Sequence, residues 1–391
     1  MADRTAQAKR AAPRGISAAA ALELLKKIAT HPRFTGTVRE ADAIKFCTKE
    51  LRAQGFKVVE YGFTFSELPG KWGPPLGALI LAGLALASGR LATQGGAPLL
   101  ALGVLLGGAV LLAVMAAMVA RFGPTRLPWS RLRSVNLVAT RGDRPSGQPS
   151  RWLVAHIDSK SQNLPILARV ASVAASGLAV ALLAGAIAIA AIGTRSASSQ
   201  GSPLNGAIVV LSYLAVACTV PLMLCIVGNR SRGALDNASG VVAVLLAIRA
   251  TDWLRSVGVI LTSGEELGLA GARAYVESNR GGGVALNCDT VDDAGGFLCM
   301  SKGSMPPKLA AALARAARTL NVPIRTHRML PGVYADNVAF TDAGWDSVTI
   351  SRGNLATLAR VHTARDRLEG IDGTGIAETA RLLAATIEEL A

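Results

Sequence analysis

The chain has 391 residues, 51% of them hydrophobic and 17% charged, with a mean hydropathy of +0.38. That balance excludes an ordinary soluble protein, and the charged fraction excludes a pure bundle of membrane helices. The formal net charge of +15 comes with 4% aromatics and no zinc-finger or helix-turn-helix spacing, which argues against nucleic acid and for basic groups beside anionic lipid headgroups.

Residues 1–15 (MADRTAQAKRAAPRG) are polar and basic with no apolar run behind them, so a disordered basic arm is expected and a signal peptide is not. A first part of a folded domain is expected over residues 16–70. Ser17 is placed to cap an amphipathic helix running to Thr30. Residues 37–54 predict a second helix stopped by Gly55, and FKVVEYGF alternates as a strand.

The chain then turns apolar. Residues 75–92 and 97–120, separated by TQGG, predict a transmembrane hairpin within residues 71–121, with Arg90 snorkelling from the end of its first helix. Residues 122–165 return to water as a second part of the domain. SVNLVAT and RWLVAHI are its strands, with a Gly/Pro-rich turn between them. A second transmembrane hairpin is expected within residues 166–229. Its apolar runs, 170–193 and 206–228, flank a Ser-rich loop and are dominated by small residues, which suit close helix packing in lipid. Residues 230–391 complete the domain. VGVILTS, GVALNCD, GGFLCMS and WDSVTIS predict short strands between helical patterns, with a last helix at 372–390. Strands alternating with helices imply an α/β sheet covered on both faces.

Two hairpins would place every soluble piece on one side of the bilayer. Lys71, Arg121, Arg126, Arg131, Arg133, Arg169, Arg230 and Arg232 flank the spans on that side, against Arg90 and Arg195 at the tips. The positive-inside rule then predicts an integral membrane protein of bacterial type with a cytoplasmic domain. The five cysteines agree: Cys47, Cys218, Cys225, Cys288 and Cys299 are odd in number and scattered, which fits a reducing compartment.

Chemistry-bearing residues gather at predicted strand ends. His156 closes WLVAHI, with Asp158 two residues on. Asp236 lies in ALDNASG, Glu265 and Glu266 in LTSGEELGLAG, Asp289 in ALNCD and His362 in VHTARD. Open α/β sheets build their sites where strands end. Singly, each residue has an ordinary explanation as a turn former, a helix cap or a structural histidine. Together they form a mixed imidazole and carboxylate set of the kind that suits zinc.

The order HxD, DN, EE, D, H resembles that of the co-catalytic zinc aminopeptidases of metallopeptidase family twenty-eight, which also includes glutamate carboxypeptidase and glutaminyl cyclase. The resemblance runs from the strand near residue 134 to the C-terminus, and residues 31–60 look like the family's opening segment. It implies a mixed-sheet zinc-peptidase (phosphorylase/hydrolase-like) α/β domain, here with two inserted hairpins, four spans in all. It implies two zinc ions, with Asp236 bridging them, His156 and Asp289 completing one, and Glu266 and His362 completing the other. Glu265 would be the general base, and Asp158 would orient the His156 imidazole. A cis peptide is expected at Asp236–Asn237. HExxH and HxxEH are absent, so other zinc-protease classes do not compete. One departure lies in VYADNVAF, where a family loop that often reads Ser-Asp-His has Ala335, Asp336 and Asn337; Tyr334 and Asp336 are its candidate substrate-binding residues.

The implied activity is removal of N-terminal residues from peptides by a membrane-bound two-zinc aminopeptidase. Glutaminyl cyclisation, dipeptide hydrolysis and a catalytically silent membrane scaffold are the alternatives. Arg169 stands 11 residues after Asp158 and Arg230 stands 6 before Asp236. Chain reach therefore keeps these residues near the bilayer and predicts a preference for apolar or membrane-derived peptides.

Overall fold

The computed structural model describes residues 15–141, 149–193, 203–250, 257–329 and 332–390. The expected basic arm (except Gly15), most of the Gly/Pro-rich turn, and the Ser-rich loop with Arg195 lie outside the described residues.

In chain order the elements are α1 (Ala18–Ile28), α2 (Val38–Ala53), β1 (Lys57–Ser66), α3 (Leu68–Thr93), α4 (Pro98–Phe122), β2 (Arg131–Thr140), β3 (Arg151–His156), β4 (Ser161–Gln162), α5 (Ile166–Gly193) and α6 (Pro203–Met223). There follow β5 (Val227–Gly228), α7 (Ser239–Ala250), β6 (Val257–Thr262), α8 (Ala270–Ser278), β7 (Val284–Val291), β8 (Gly296–Ser301), α9 (Pro307–Leu320), β9 (Ile324–Arg328), α10 (Asn337–Asp342), β10 (Asp346–Gly353), α11 (Leu355–Arg360) and α12 (Thr374–Glu389). They divide into two compact units: Met1–Thr64 with Leu132–Lys160 and Asn229–Ala391, and Phe65–Arg131 with Ser161–Gly228.

The first unit is α/β, built on a mixed sheet of eight strands ordered β1-β2-β6-β3-β7-β10-β8-β9. Its middle is parallel: β3 pairs with β6 and β7, and β7 with β10. Parallel strands are buried on both faces, which is why WLVA, VGVILT and VALNC read as apolar runs instead of alternating. The outer pairs β2–β6 and β10–β8 are antiparallel, and β8–β9 is parallel. Because β3, β6, β7 and β10 run the same way, their C-terminal ends share one edge, where β3 delivers His156 and β7 delivers Asp289.

Local signals account for the helix ends. The Ser17 hydroxyl accepts from Ala20 N at 3.1 Å and the Thr37 hydroxyl from Glu40 N at 3.3 Å, capping α1 and α2. Helix α7 is apolar all round and buried from Ser239 to Ile248, packing against α12 and β7. Trp152, Tyr275, Phe340 and Trp345 form an aromatic core, with the Phe340 and Trp345 rings edge to face at 5.1 Å. Strand β9 escaped the sequence reading because IRTHR is polar and largely exposed at the sheet edge.

The second unit is helical. Helices α3, α4, α5 and α6 are long and apolar enough to cross a membrane, with 18-residue windows of mean hydropathy 1.6, 2.6, 2.3 and 2.1. Small residues bring them together: a Cβ added at Gly89 of α3 would lie 2.1 Å from the Ser212 hydroxyl oxygen of α6. The first span starts earlier than its apolar run, at Leu68, and takes Pro74 and Pro75 into the helix. The fourth stops at Met223, not at residue 228 as its hydropathy suggests. Beyond it, Val227–Gly228 pairs antiparallel with Ser161–Gln162, so apolar residues there serve a short strand pair.

Candidate metal centre

The site is assembled from loops at the shared strand edge of the α/β unit. His156 ends β3 and is 1% exposed. Glu265 and Glu266 sit in a tight turn, Glu265–Leu267, between Gly264 and Gly268, both at positive φ. That irregular turn sends neighbouring carboxylates in different directions. Asp236 lies in the turn before α7, and its peptide bond to Asn237 is cis. The Asn237 side chain secures that turn, donating to Cys288 O at 2.8 Å and accepting from Gly240 N at 3.1 Å. His362 takes φ +59° just after α11.

Two groups result, His156 with Glu265 and Asp289, and Asp236 with Glu266 and His362; within each, the possible ligand atoms lie within 4.8 Å of one another. Asp236 joins them. Its Oδ1 lies 3.1 Å from His156 Nε2 and its Oδ2 lies 2.9 Å from His362 Nε2. Asp289 Oδ1 stands 3.6 Å and Glu265 Oε2 3.9 Å from His156 Nε2, while Glu266 Oε2 is 3.1 Å from His362 Nε2. The structure thus brings together all seven residues singled out in the sequence as ligands, base or orienting acid.

Asp158 ties the site together. Its Oδ1 accepts from Glu265 N and its Oδ2 from Glu266 N, each at 3.3 Å. The hydrogen-bond partner of His156 Nδ1 is the main-chain carbonyl of Asp158, at 3.1 Å, with carboxylate Oδ1 farther off at 3.6 Å. One short segment therefore aims the imidazole and fixes the backbone of both glutamates.

The electrostatics call for a cation. Burial alone would lower the His156 imidazole, yet Glu265, Asp158, Asp236 and Asp289 hold its pKa well above the ordinary value. Burial raises Asp289 and Glu265, and for Glu265 the carboxylates of Glu266, Asp289 and Asp336 add to that rise against the pull of His156. Asp236 and Glu266 move the other way, held below the usual carboxylate range against their burial by the imidazoles and, for Glu266, by Lys160. His156 Nε2 is buried without a hydrogen-bond partner among the described residues, although carboxylate oxygens surround it. An imidazole lone pair facing carboxylates is repulsive unless positive charge lies between them. These donors fit divalent metal of the zinc type.

Tyr334 is half exposed. Asp336 is fully buried: the Thr262 hydroxyl donates to its Oδ2, and its Oδ1 has no hydrogen-bond partner among the described residues. Burial pushes the Asp336 carboxyl up from 3.8 to about 7, against the pull of His156 and of the Thr262 hydrogen bond. The placement sets Asp336 inside the protein, as it does Asp158 and His156. Asn337, beside it, donates to Met300 O at 3.2 Å.

Four residues of the site's surroundings went unread in the sequence. Thr35 donates to Asp158 Oδ2 at 3.0 Å. The carboxylate of Asp366 accepts from Leu235 N at 2.7 Å and Asp236 N at 3.1 Å. Arg33, 1% exposed, donates to Ile157 O at 2.8 Å and Gly233 O at 3.0 Å. Lys160 Nζ lies 2.8 Å from Glu266 Oε2. Only the Asp366 position carried a hint, in the HTARD run with His362.

Residues 219–387 match the model of peptidase family M28. The match covers 169 of the 391 residues, and over that stretch the chain is similar to the family. It contains Asp236, Glu265, Glu266, Asp289 and His362, while His156 and Asp158 precede it. Solved structures share the fold. An aminopeptidase from Aneurinibacillus sp. strain AM-1 aligns with a TM-score of 0.57 and 13% identity, over 97% of this chain and 95% of that one. BSAP, a zinc aminopeptidase from Bacillus subtilis, gives 0.56 and 15% over 97% and 96%. A glutaminyl cyclase from Fimbriiglobus ruber gives 0.53 and 14% over 98% and 100%. No curated protein matches the sequence. The match to a peptidase family supports a hydrolase of the peptidase type, with two His/carboxylate groups able to hold metal.

Proposed function

We propose that the chain is a membrane-bound aminopeptidase that uses two zinc ions to hydrolyse the N-terminal peptide bond of its substrates. The observation that carries this reading is Asp236, whose two oxygens face two different histidines, each with a carboxylate of its own. Asp236 would be shared, His156 and Asp289 would hold one ion, and Glu266 and His362 the other. Bound zinc would supply a Lewis acid and a water acidified to a pKa of about 7.

Glu265 then has the role of general base. It is buried, beside but distinct from the closest His–carboxylate contacts, and burial with the neighbouring carboxylates raises its proton affinity, which suits a group that takes a proton from water. The proton taken from water goes to the departing amine, leaving a free amino acid and a peptide shortened by one residue. Asp158 acts through others, setting the His156 ring and the Glu265 and Glu266 backbone.

The four apolar helices support anchoring in a bilayer, and the eight basic residues flanking them in sequence support a cytoplasmic peptidase domain with anionic lipid headgroups alongside. A reporter fused to the C-terminus checks the side: activity of an externally restricted reporter would overturn the cytoplasmic placement. Ile166, the first residue of α5, stands only eight positions after Asp158, which supports substrates that are apolar or derived from membrane proteins.

The deciding experiment is hydrolysis of aminoacyl-anilides by detergent-purified protein beside Glu265→Gln. Cleavage should fall by about 10²–10⁴-fold in the variant while bound metal stays unchanged. Equal rates would sink the proposal. The glutaminyl cyclase neighbours motivate a second reading, cyclisation of N-terminal glutamine. Release of ammonia from a Gln-peptide, with no cleavage of any anilide, would select it.

A further inference from the structure

The two halves of the metal centre are unequal in one respect: among the described residues, only the His362 half has a candidate ligand carboxylate ion-paired with a lysine or arginine. Lys160 surrounds Glu266. Its Nζ lies 2.8 Å from Oε2 and donates to the Glu266 carbonyl at 3.1 Å, and its backbone N donates to Oε1 at 3.2 Å. The pair is nearly out of water, with side-chain exposures of 14% and 2%. Glu266 Oε2, the oxygen under the ammonium, is also the one 3.1 Å from His362 Nε2. Among the described residues, neither Asp236, Glu265 nor Asp289 forms an ion pair with a lysine or arginine.

We infer that Lys160 is an internal counter-cation for Glu266, stabilising the metal-free cluster and competing with one of the two metal ions for that carboxylate. The inference rests on the two-metal reading above. The physical reason is that a buried carboxylate needs a positive partner at all times. Without metal, Lys160 supplies it. With metal, ammonium and ion share one oxygen, and two positive charges repel across a poorly hydrated space. The ammonium therefore lowers the affinity of the His362 half while keeping its ligands in place for entry. Among the described residues, the two carboxylates of the His156 half, Glu265 and Asp289, have no ion-paired lysine or arginine and so no such competitor.

This role leaves a signature that simple propping of the turn does not. Full-length wild type and Lys160→Met are stripped of metal in detergent, their melting is recorded, and each is titrated with zinc against a chromophoric chelator. Metal-free Lys160→Met should melt lower than wild type, yet bind one of its two ions about tenfold more tightly, with the other within about twofold. Lys160→Arg, which keeps the charge, should stay within about twofold of wild type at both. Weaker binding in Lys160→Met, or unchanged binding at both positions, overturns the inference while leaving two zinc ions in place. Wild type that takes up fewer than two ions fells the two-metal reading, and this one with it.

Discussion

Asp236 Oδ2 lies 2.9 Å from His362 Nε2 while the other oxygen of the same carboxylate faces His156. An asparagine can offer only one such oxygen and turns an NH2 toward the other imidazole. Asp236→Asn should therefore lose at least one ion per chain and at least about 100-fold in turnover. Metal analysis of the purified variant beside its kcat checks this, and full metal content would contradict a shared carboxylate.

Thr35 reaches the site from the loop before α2, where its hydroxyl donates to Asp158 Oδ2 inside the protein. Thr35→Val deletes that donor at nearly constant volume. A loss of about 1–2 kcal/mol in stability is expected. Because Asp158 aims both glutamates, kcat should fall about tenfold with KM little changed. A change in KM alone would place Thr35 against substrate instead.

Glu40 supplies a pH dependence away from the metal ligands. Its carboxylate is 2% exposed and accepts from Gly36 N at 2.6 Å, from Ser134 Oγ at 3.0 Å and from Ser263 Oγ. Burial, and then the charge of Asp158, push its pKa up from 4.5 to about 7. An acid whose folded pKa lies above its unfolded value binds its proton more tightly when folded. Its contribution is therefore favourable at low pH and is lost as pH rises from about 4.5 to about 7, by up to roughly 3 kcal/mol. Glu40→Gln fixes the neutral state and should flatten the melting temperature across that window. An unchanged slope would show that Glu40 is ionised throughout.

Gly233 precedes the Asp236 turn at φ +55°, and a Cβ there would meet Asp236 O at 2.4 Å and Ser159 Cβ at 2.5 Å. Neither neighbour is the far end of a flexible side chain. Gly233→Ala should cost at least about 1–3 kcal/mol and reduce metal affinity, read by melting and zinc titration. Wild-type behaviour in both would mean that the turn can shift without disturbing the ligands.

Much of this molecule was legible along the chain because the signals are local. Ser17 and Thr37 cap the helices that follow them, and apolar runs without charge mark α4 and α5 whatever they pack against. Where the reading slipped, a local signal served a nonlocal purpose. The apolar residues after Met223 continue the hydropathy of α6 but leave the helix to pair with Ser161–Gln162. Polar IRTHR hides a strand because at a sheet edge both faces are open to water.

The site divides in the same way. Residue types and their order were written in the sequence: two histidines and a set of acids at strand ends, matching a family pattern. Their distances were decided by tertiary structure, since parallel pairing of β3, β6 and β7 is what brings His156, Glu265 and Asp289 to one edge. So were the residues that hold them. Arg33 bonds a carbonyl 124 positions away, and Lys160 meets Glu266 across 106. A buried lysine or arginine looks in sequence like any solvated one. Its role depends on which carboxylate or carbonyl the fold carries to it, and only chain closure over long separations selects that partner.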